Sequence, residues 1–189
     1  MGQKGEAKRV QIVKAANDLF YKQGFGATSF ADIAKASGLP KGNFYFYFPS
    51  KDSLLNAVLD DRVQSLQSKL QSFEHNYATP RERLLRLAEM PIKDFENITR
   101  YGCPMGSLSS ELGKCCEELE TRTIEMFDVL KNWIAGQLTE MGQSPAASQA
   151  TARHILTTMQ GAALMAYTYG DPVWIEDTVA HMKATIAAL

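Results

Sequence analysis

The sequence predicts an all-α fold in two parts, a short N-terminal three-helix unit and a longer helical body. Apolar residues recur at three- and four-residue spacing through most of the 189 residues, the pattern of amphipathic helices. Glycine and proline fall between these periodic segments, where helices end and begin. Hydrophobic residues make up 45% of the chain, enough for a sizeable core. We expect two domains, 1–50 and 51–189, with the first part of the long fourth helix adjoining the first domain.

The first three helices are short and follow one another closely. The first helix has an apolar face made of Ile12, Ala16, Leu19 and Phe20. Gly24 offers it a left-handed end. Ser29 followed by Asp32 predicts a capping box that opens the second helix, and Gly38 ends that helix. Pro40 fits the first turn of a third helix.

The fourth helix is predicted to be long. Pro49 stops the third helix, and Ser50 can cap the fourth. The apolar stripe of the fourth helix covers about seven turns and consists of Leu55, Leu59, Leu66, Leu70, Phe73 and Tyr77. Thr79-Pro80 then opens a further helix, which we expect to continue through Phe95.

The C-terminal half continues the helical pattern. Gly102-Cys103-Pro104 is a clear break between helices. A later helix ends at Gly142 and carries Phe127, Leu130, Ile134, Leu138 and Met141. Ser144-Pro145 and Asp171-Pro172 each place a capping residue before a proline, which predicts the starts of the last two helices.

One segment has conflicting signals. Residues 44–48 read Phe-Tyr-Phe-Tyr-Phe, and this alternation favours a strand on propensity alone. The run is brief and isolated among helices, so a strand there would leave its backbone hydrogen bonds unpaired. We therefore predict a helix.

Composition limits the class of protein. The net charge is −1, but residues 1–60 carry eight Lys/Arg against five Asp/Glu, whereas the remainder is acidic. A basic head on an acidic body suits a protein that touches phosphates at one end. Three cysteines argue against a secreted disulfide framework. The polar N-terminus does not resemble a signal peptide, and no apolar run is long enough for a bilayer, so we expect a cytoplasmic protein without a membrane partner.

The segment 28–51 has the organisation of a helix-turn-helix that reads DNA. Phe44 and Phe48 lie four residues apart and should be buried, which leaves the neighbouring face free. Lys41 can reach a phosphate or a guanine edge, Asn43 can pair with adenine, and Gly42 lets the backbone approach DNA closely. The full set of candidate DNA contacts is Thr28, Ser29, Lys41, Gly42, Asn43, Tyr45, Tyr47 and Lys51. Each of them alone is more often a solvated or packing residue, and it is their combination that favours DNA binding.

Residues 7–55 resemble the N-terminal domain of the TetR family of bacterial repressors. The likeness rests on Gly24-Phe25, on residues 28–34 (TSFADIA), on residues 37–48 (SGLPKGNFYFYF) and on Ser50-Lys51. The resemblance implies an all-helical homodimer that binds palindromic double-stranded operators and is released when a small molecule enters the C-terminal domain. Tyr47 stands where many members have His, and Phe46 occupies a variable position, so the base preference stays open.

The last two helices are predicted to form a homodimer. Ile175, Val179, Met182, Ile186 and Leu189 follow an a/d spacing, and the preceding helix offers the small residues Gly161, Ala162, Ala163 and Ala166. Packing against symmetry mates would give a four-helix bundle. The alternative is a monomer in which this seam packs internally. A dimer would place two recognition helices about 34 Å apart, or a multiple of that distance.

The effector site is less defined. Apolar and aromatic residues that could line it include Met105, Phe127, Trp133 and Tyr167, although most such residues are ordinary core. Cys103 precedes Pro104 and should be the N-cap of a helix, where the helix dipole favours an anionic sulfur. The stretch from Gly102 to Leu112 also resembles a subgroup of the family in which the matching cysteine senses electrophiles or oxidants. An idle or packing thiol is the alternative. Cys115 and Cys116 are adjacent, and we expect solvated or packing roles for them.

Other functions find little support in the sequence. No nucleophile elbow, zinc-protease motif, phosphate loop or C-x-x-C occurs, and the three histidines are scattered, so we expect neither an enzyme, a cofactor nor a metal site. The remaining alternative is a helical protein-interaction module whose aromatic run docks a partner. Salt-sensitive binding to duplex DNA would distinguish the two.

Overall fold

The computed structural model describes residues 2–40, 42, 44–113 and 117–189, and their side chains except those of 117–120. All regular elements in these ranges are helical. A 3-10 helix spans Met90–Asp94, and the α-helices are α1 Gln3–Gln23, α2 Phe30–Ser37, α3 Phe44–Tyr47, α4 Lys51–Asn76, α5 Pro80–Ala88, α6 Phe95–Tyr101, α7 Pro104–Leu112, α8 Glu117–Glu140, α9 Pro145–Tyr169 and α10 Val173–Ala188.

The predicted helix boundaries in the N-terminal part are confirmed with one exception. Gly24 and Gly38 follow α1 and α2 with φ of 89° and 68°, values that favour glycine. Ser50 precedes α4 and caps it: its hydroxyl oxygen accepts from the Ser53 N–H at 3.0 Å, and its own N–H donates to Ser53 Oγ at 3.2 Å. The exception is the third helix. Pro40 is not helical, Gly42 has the 3-10 conformation, and α3 is a single turn over Phe44–Tyr47; glycine and successive aromatic residues are poor α-helix formers.

Two boundaries in the C-terminal part differ from the prediction. The helix that opens at Thr79-Pro80 was expected to continue through Phe95, but α5 ends at Ala88 and Phe95 begins α6. Pro91 explains this break, because a proline inside a helix removes one hydrogen bond and clashes with the preceding turn. α10 begins at Val173, whose N–H donates to the Asp171 carboxylate, so the helix starts one residue later than Pro172 predicted.

Contacts divide the chain into two compact units. The first consists of Met1–Gln64 and Leu108–Ile124, so the end of α7 and the start of α8 belong with the N-terminal helices. Its buried side chains include residues of α1, α2, α3 and α4, together with Leu108 and Leu112 of the distant segment. Phe20 and Phe25 meet edge to face, with ring centroids 5.2 Å apart.

The second unit consists of Ser65–Ser107 and Glu125–Leu189. Its main apolar cluster joins α4, α5, α8, α9 and α10, and includes Leu70, Leu84, Ile134, Ala152 and Met182. A smaller cluster consists of Ile98, Ala163, Ala166, Ile175 and Val179, with Phe95 and Cys103 packed against it.

The predicted seam on α10 is wrong as a dimer surface. Ile175, Val179, Met182 and Ile186 are buried inside the second unit. The spacing identified the apolar face of α10 correctly, but that face packs against helices of its own chain. These four side chains are therefore unavailable to a second copy, and dimerisation through the last two helices stays a prediction.

Candidate nucleic-acid interface

The second helix begins with a complete capping box. The backbone N–H of Asp32 donates to Ser29 Oγ at 3.3 Å, and the backbone N–H of Ser29 donates to the Asp32 carboxylate at 2.9 Å. The hydroxyl of Ser29 and then its backbone N–H donate to this carboxylate and lower the pKa of Asp32 below its ordinary value. Ser29 is exposed, but its hydroxyl and its N–H both donate to the Asp32 carboxylate, so a phosphate would have to take these donors from that carboxylate.

The third helix is held from beneath by buried aromatic rings. Phe44 and Phe48, four residues apart, are both buried, as predicted, and Ile33 of α2 is buried as well. The ring of Phe30 contacts those of Phe44 and Tyr45, with centroids 5.9 and 5.3 Å away. Packing of this kind can hold a one-turn helix that propensity alone would not support.

The opposite side of α3 faces solvent. Tyr45 is 59% exposed and Phe46 is 75% exposed, the largest value among the exposed large apolar side chains of the described chain. Gly42 is exposed, and a Cβ added there would meet no atom within 4 Å. Tyr47 is half-buried, with its ring edge to face with Phe46 at 5.2 Å.

Phe46 is an exposed residue of this surface that is absent from the predicted DNA contacts. Its position midway between the two buried phenylalanines was the available signal, because a residue two places from each on a helix points away from their face. An exposed phenylalanine has an apolar surface suited to sugars and thymine methyl groups. Lys41 and Asn43 lie outside the described residues, so their predicted roles stay predictions.

Thr28 lies inside the loop that precedes α2. It is buried, and its hydroxyl donates to the Gly24 carbonyl at 2.7 Å. A buried hydroxyl with this partner supports the loop and presents no free surface to a phosphate. We therefore correct the expected role of Thr28 and leave it out of the DNA contacts proposed below.

The ammonium group of Lys51 contacts the loop before α2, and its predicted contact with DNA stays a prediction. Its ammonium group donates to the carbonyls of Phe25, Thr28 and Gly26, at 2.9, 3.2 and 3.4 Å. It also lies 4.4 Å from the centre of the Phe25 ring. Lys51 therefore holds the loop before α2, and any phosphate contact would have to share this ammonium group.

The carboxylate of Glu111 binds two backbone N–H groups of the same loop. Phe25 N–H donates to one of its oxygens at 2.9 Å, and Gly26 N–H donates to the other at 2.7 Å. The partners are about 85 positions apart in sequence. No local motif in the sequence indicates this contact.

The predicted effector residues lie in different surroundings. Met105 and Trp133 pack against the main cluster of the second unit, and the indole N–H of Trp133 donates to Glu74 at 2.7 Å. Phe127 is half-buried and Tyr167 is 52% exposed. Met105 and Trp133 thus share one apolar cluster, and the effector role of the whole set stays a prediction.

Cys103 stands at the predicted helix start. α7 begins at Pro104, and the Cys103 carbonyl accepts the first helical hydrogen bond, from Ser107 N–H, at 2.9 Å. The side chain is half-buried, carries a free thiol and packs against the smaller apolar cluster. Gly106 permits a close neighbour here, since a Cβ at that position would lie 2.8 Å from Gln160 Oε1. Cys115 and Cys116 lie outside the described residues.

The described residues contain neither a candidate membrane span nor a candidate metal site. No helix among them has both the length and the apolar character needed to cross a membrane. No group of three or more His, Cys, Asp or Glu side chains in those ranges could hold a metal ion.

Comparison with known proteins matches two family models. Residues 12–58 match the model described as bacterial regulatory proteins, tetR family. Residues 80–181, more than half of the chain, match the model described as transcriptional regulator LmrA/YxaF-like, C-terminal domain. The two matches cover both the helix-turn-helix segment and most of the helical body.

Individual proteins give the same result. An uncharacterized HTH-type transcriptional regulator of Lactococcus lactis subsp. lactis is 30% identical over 158 residues, which cover 82% of this chain and 81% of the relative. The transcriptional repressor DhaR of Mycobacterium sp. (strain GP1) is 27% identical over 161 residues, covering 82% and 80%. The crystal structure of a TetR regulator from Legionella pneumophila superposes with a TM-score of 0.84 at 23% identity, covering 98% and 97%.

Proposed function

Because the chain belongs to the TetR family of bacterial transcriptional regulators, we propose that it is a repressor that binds a palindromic operator as a homodimer. A small-molecule or electrophile signal then releases it from DNA. The name of the Mycobacterium relative, a transcriptional repressor, supports repression over activation. The proposal places the protein in the cytoplasm, where its operator is, and assigns it DNA binding instead of catalysis.

The proposal rests on the difference in exposure between the two faces of α3. Phe44 and Phe48 are buried, while Tyr45 and Phe46 are largely exposed beside an open glycine. Exposing neighbouring aromatic rings to water is unfavourable in free energy, so such a patch indicates a contact surface. Tyr45 and Tyr47 can donate hydroxyls to phosphates, and Phe46 can lie against sugars or thymine methyls. Ser29, Gly42 and the undescribed Lys41 and Asn43 complete the proposed contacts, with Lys51 shared between loop and phosphate.

A selection from random DNA duplexes tests this proposal. The protein is used to enrich binding duplexes, and the affinity for an enriched duplex is then measured between low and moderate salt. We expect inverted repeats among the enriched sequences, and affinity that falls steeply as salt rises because phosphate contacts release counterions. No enrichment, together with salt-insensitive binding, would favour the protein-interaction alternative.

The dimer is proposed on the outer faces of α9 and α10. Gly161 and Leu164 are exposed on α9, and Leu164 is 57% exposed. Ala180 and Ala184 are exposed on α10. Small residues beside an exposed leucine allow two copies to approach closely, and an isologous contact of this kind presents two recognition helices to two half-sites.

The electrophile branch of the signal is proposed for Cys103. Its sulfur would add to a ring carbon of a quinone, forming a C–S bond while the thiol proton ends on the reduced ring. The added group would disturb the packing of α7 against the smaller cluster, and operator affinity would fall. Titration of operator binding with a quinone should show a response in the wild type that Cys103→Ser lacks. Equal responses would leave only a reversible small-molecule signal.

A further inference from the structure

The loop 24–28, which precedes α2, is hydrogen-bonded by two side chains of opposite charge, Glu111 and Lys51. Glu111 accepts hydrogen bonds from the N–H groups of Phe25 and Gly26, and Lys51 donates to carbonyls of the same loop. We call Glu111, Lys51 and the loop 24–28 the loop clamp. We propose that Glu111 is a positioning residue that sets operator affinity through this clamp, an inference that rests on the proposed function.

The loop clamp fixes the backbone that leads into α2. The loop joins α1 to Ser29, the capping residue of α2, and α2 supports α3 through the contact of Phe30 with Phe44 and Tyr45. Loops have few internal contacts and are among the least stable parts of a fold. A carboxylate that binds two adjacent N–H groups makes charge-assisted hydrogen bonds, which are stronger than neutral ones. The loop is therefore ordered by a residue from the far segment.

The carboxylate also fits the loop closely. A Cβ built on Gly26 would lie 3.2 Å from Glu111 Oε1, and one on Gly24 would lie 3.1 Å from Oε2. Gly24 also has a positive φ, whereas Gly26 does not. Alanine at position 26 is thus compatible with the backbone but presses against the carboxylate. The pair of positions 26 and 111 can therefore be tested together.

The loop clamp is also connected to the proposed DNA contacts. Lys51 begins α4, and its ammonium group lies against the loop carbonyls and the Phe25 ring. A shift of the loop moves the acceptors that hold this cation. Glu111 thereby affects both the support of α3 and the position of Lys51, without needing to touch DNA itself.

The experiment uses the full-length protein and an enriched duplex from the selection above. The variants are Glu111→Gln, Glu111→Ala, Gly26→Ala and the Gly26→Ala/Glu111→Ala double variant. Glu96→Gln, which removes the same charge from an exposed position on α6, is the control. The measurements are operator affinity, thermal unfolding, and amide hydrogen exchange at Phe25 and Gly26.

We expect Glu111→Gln and Glu111→Ala to weaken operator binding by about tenfold, the equivalent of one lost charge-assisted hydrogen bond. Exchange at the amides of Phe25 and Gly26 should rise by about the same factor, with exchange in α2 unchanged. Gly26→Ala should weaken binding by about threefold in the wild type and have no further effect in Glu111→Ala, because the pressed carboxylate is gone. The control should bind like the wild type.

Several outcomes would overturn the inference. Faster exchange with unchanged operator affinity would show that the contact exists but does not position the DNA-binding helices. Unchanged exchange would show that the contact is absent in solution. A third contrary result has two parts: affinity falls in proportion to thermal stability, and the effects of Gly26→Ala and Glu111→Ala add. This result would show that Glu111 only stabilises the fold. Failure of the wild type to bind any duplex would overturn the proposed function as well. If the wild type binds and only the predictions for the variants fail, the inference about Glu111 is wrong and the proposed function stands.

Discussion

At the scale of single residues, the structure constrains two glycines near α3 differently. Gly38 ends α2 with φ of 68°, and a Cβ there would meet no atom within 4 Å, so its constraint lies in the backbone alone. Gly42 has no positive φ and is equally open. The free protein therefore places no constraint on the residue at position 42, whereas the proposed close approach of DNA would.

This difference predicts opposite results for two alanine substitutions. Gly38→Ala should lower the free energy of unfolding by about 1–2 kcal/mol, because an L-residue is strained in the left-handed region. Gly42→Ala should leave it unchanged or slightly higher, yet weaken operator binding because the added methyl group meets DNA. Thermal unfolding and a duplex titration of both variants test this. Normal operator affinity of Gly42→Ala would remove the proposed close approach.

Phe46 offers a second prediction at this scale. Phe46→Ala should change the free energy of unfolding by less than about 0.5 kcal/mol, since the ring is 75% exposed. It should cost about 1–3 kcal/mol of operator binding if the ring contacts bases. Ile124→Ala is the matched control, because Ile124 is also an exposed apolar residue of the first unit, at 51%. Equal operator affinity of the two variants would contradict the role of Phe46.

At the scale of helices, the carboxylate of Glu89 adds an ion pair to the apolar contact between α5 and α10. Glu89 follows α5, and its oxygens accept hydrogen bonds from Lys183 at 2.6 Å and Arg86 at 2.8 Å. These two cations, Lys183 first, lower the pKa of Glu89 below its ordinary value near 4.5. All three groups are partly exposed, so the contribution of each pair is about 0.5–1 kcal/mol.

The sign of the pH dependence follows from that lowered pKa. The stabilisation is fully present above the ordinary glutamate pKa and is lost as the pH falls through the lower folded value. Lys183→Met should therefore reduce the free energy of unfolding near pH 7 and flatten its decline on acidification. Denaturant unfolding between pH 3 and 7 measures this, with Lys93→Met, an exposed lysine of the 3-10 helix, as the control. Parallel pH curves for the two variants would contradict the assignment.

The helices also show which parts of the fold local sequence patterns could predict. Capping residues, prolines and glycines act on their immediate neighbours, so Ser29, Gly38, Ser50 and Ser144 marked their boundaries correctly. Pro91 is likewise a local signal, here for the end of a helix, and the prediction of one helix through Phe95 did not take it into account. Spacing found the apolar face of α10 but not its partner, because periodicity says which side is buried and not what covers it. The contact of Glu111 with the loop joins distant segments, and only the fold brings them together.

At the scale of the whole molecule, the account needs two copies of the chain. Leu164→Asp places a charge on the proposed outer interface and should give a monomer by sedimentation, with operator affinity lost because half-sites are no longer bound together. Ile124→Asp, on an exposed residue of the first unit, should stay dimeric. A Leu164→Asp protein that remains a dimer would exclude this face and move the interface elsewhere.

The recognition face of α3 is the central claim, and Tyr45→Ala tests it most directly. The ratio of affinities for an enriched duplex and for a scrambled duplex of the same composition is measured at one salt concentration, alongside thermal unfolding. We predict that the wild type prefers the enriched duplex and that Tyr45→Ala loses about 1–3 kcal/mol of this preference while remaining folded. An unchanged ratio in a folded Tyr45→Ala protein would contradict the account.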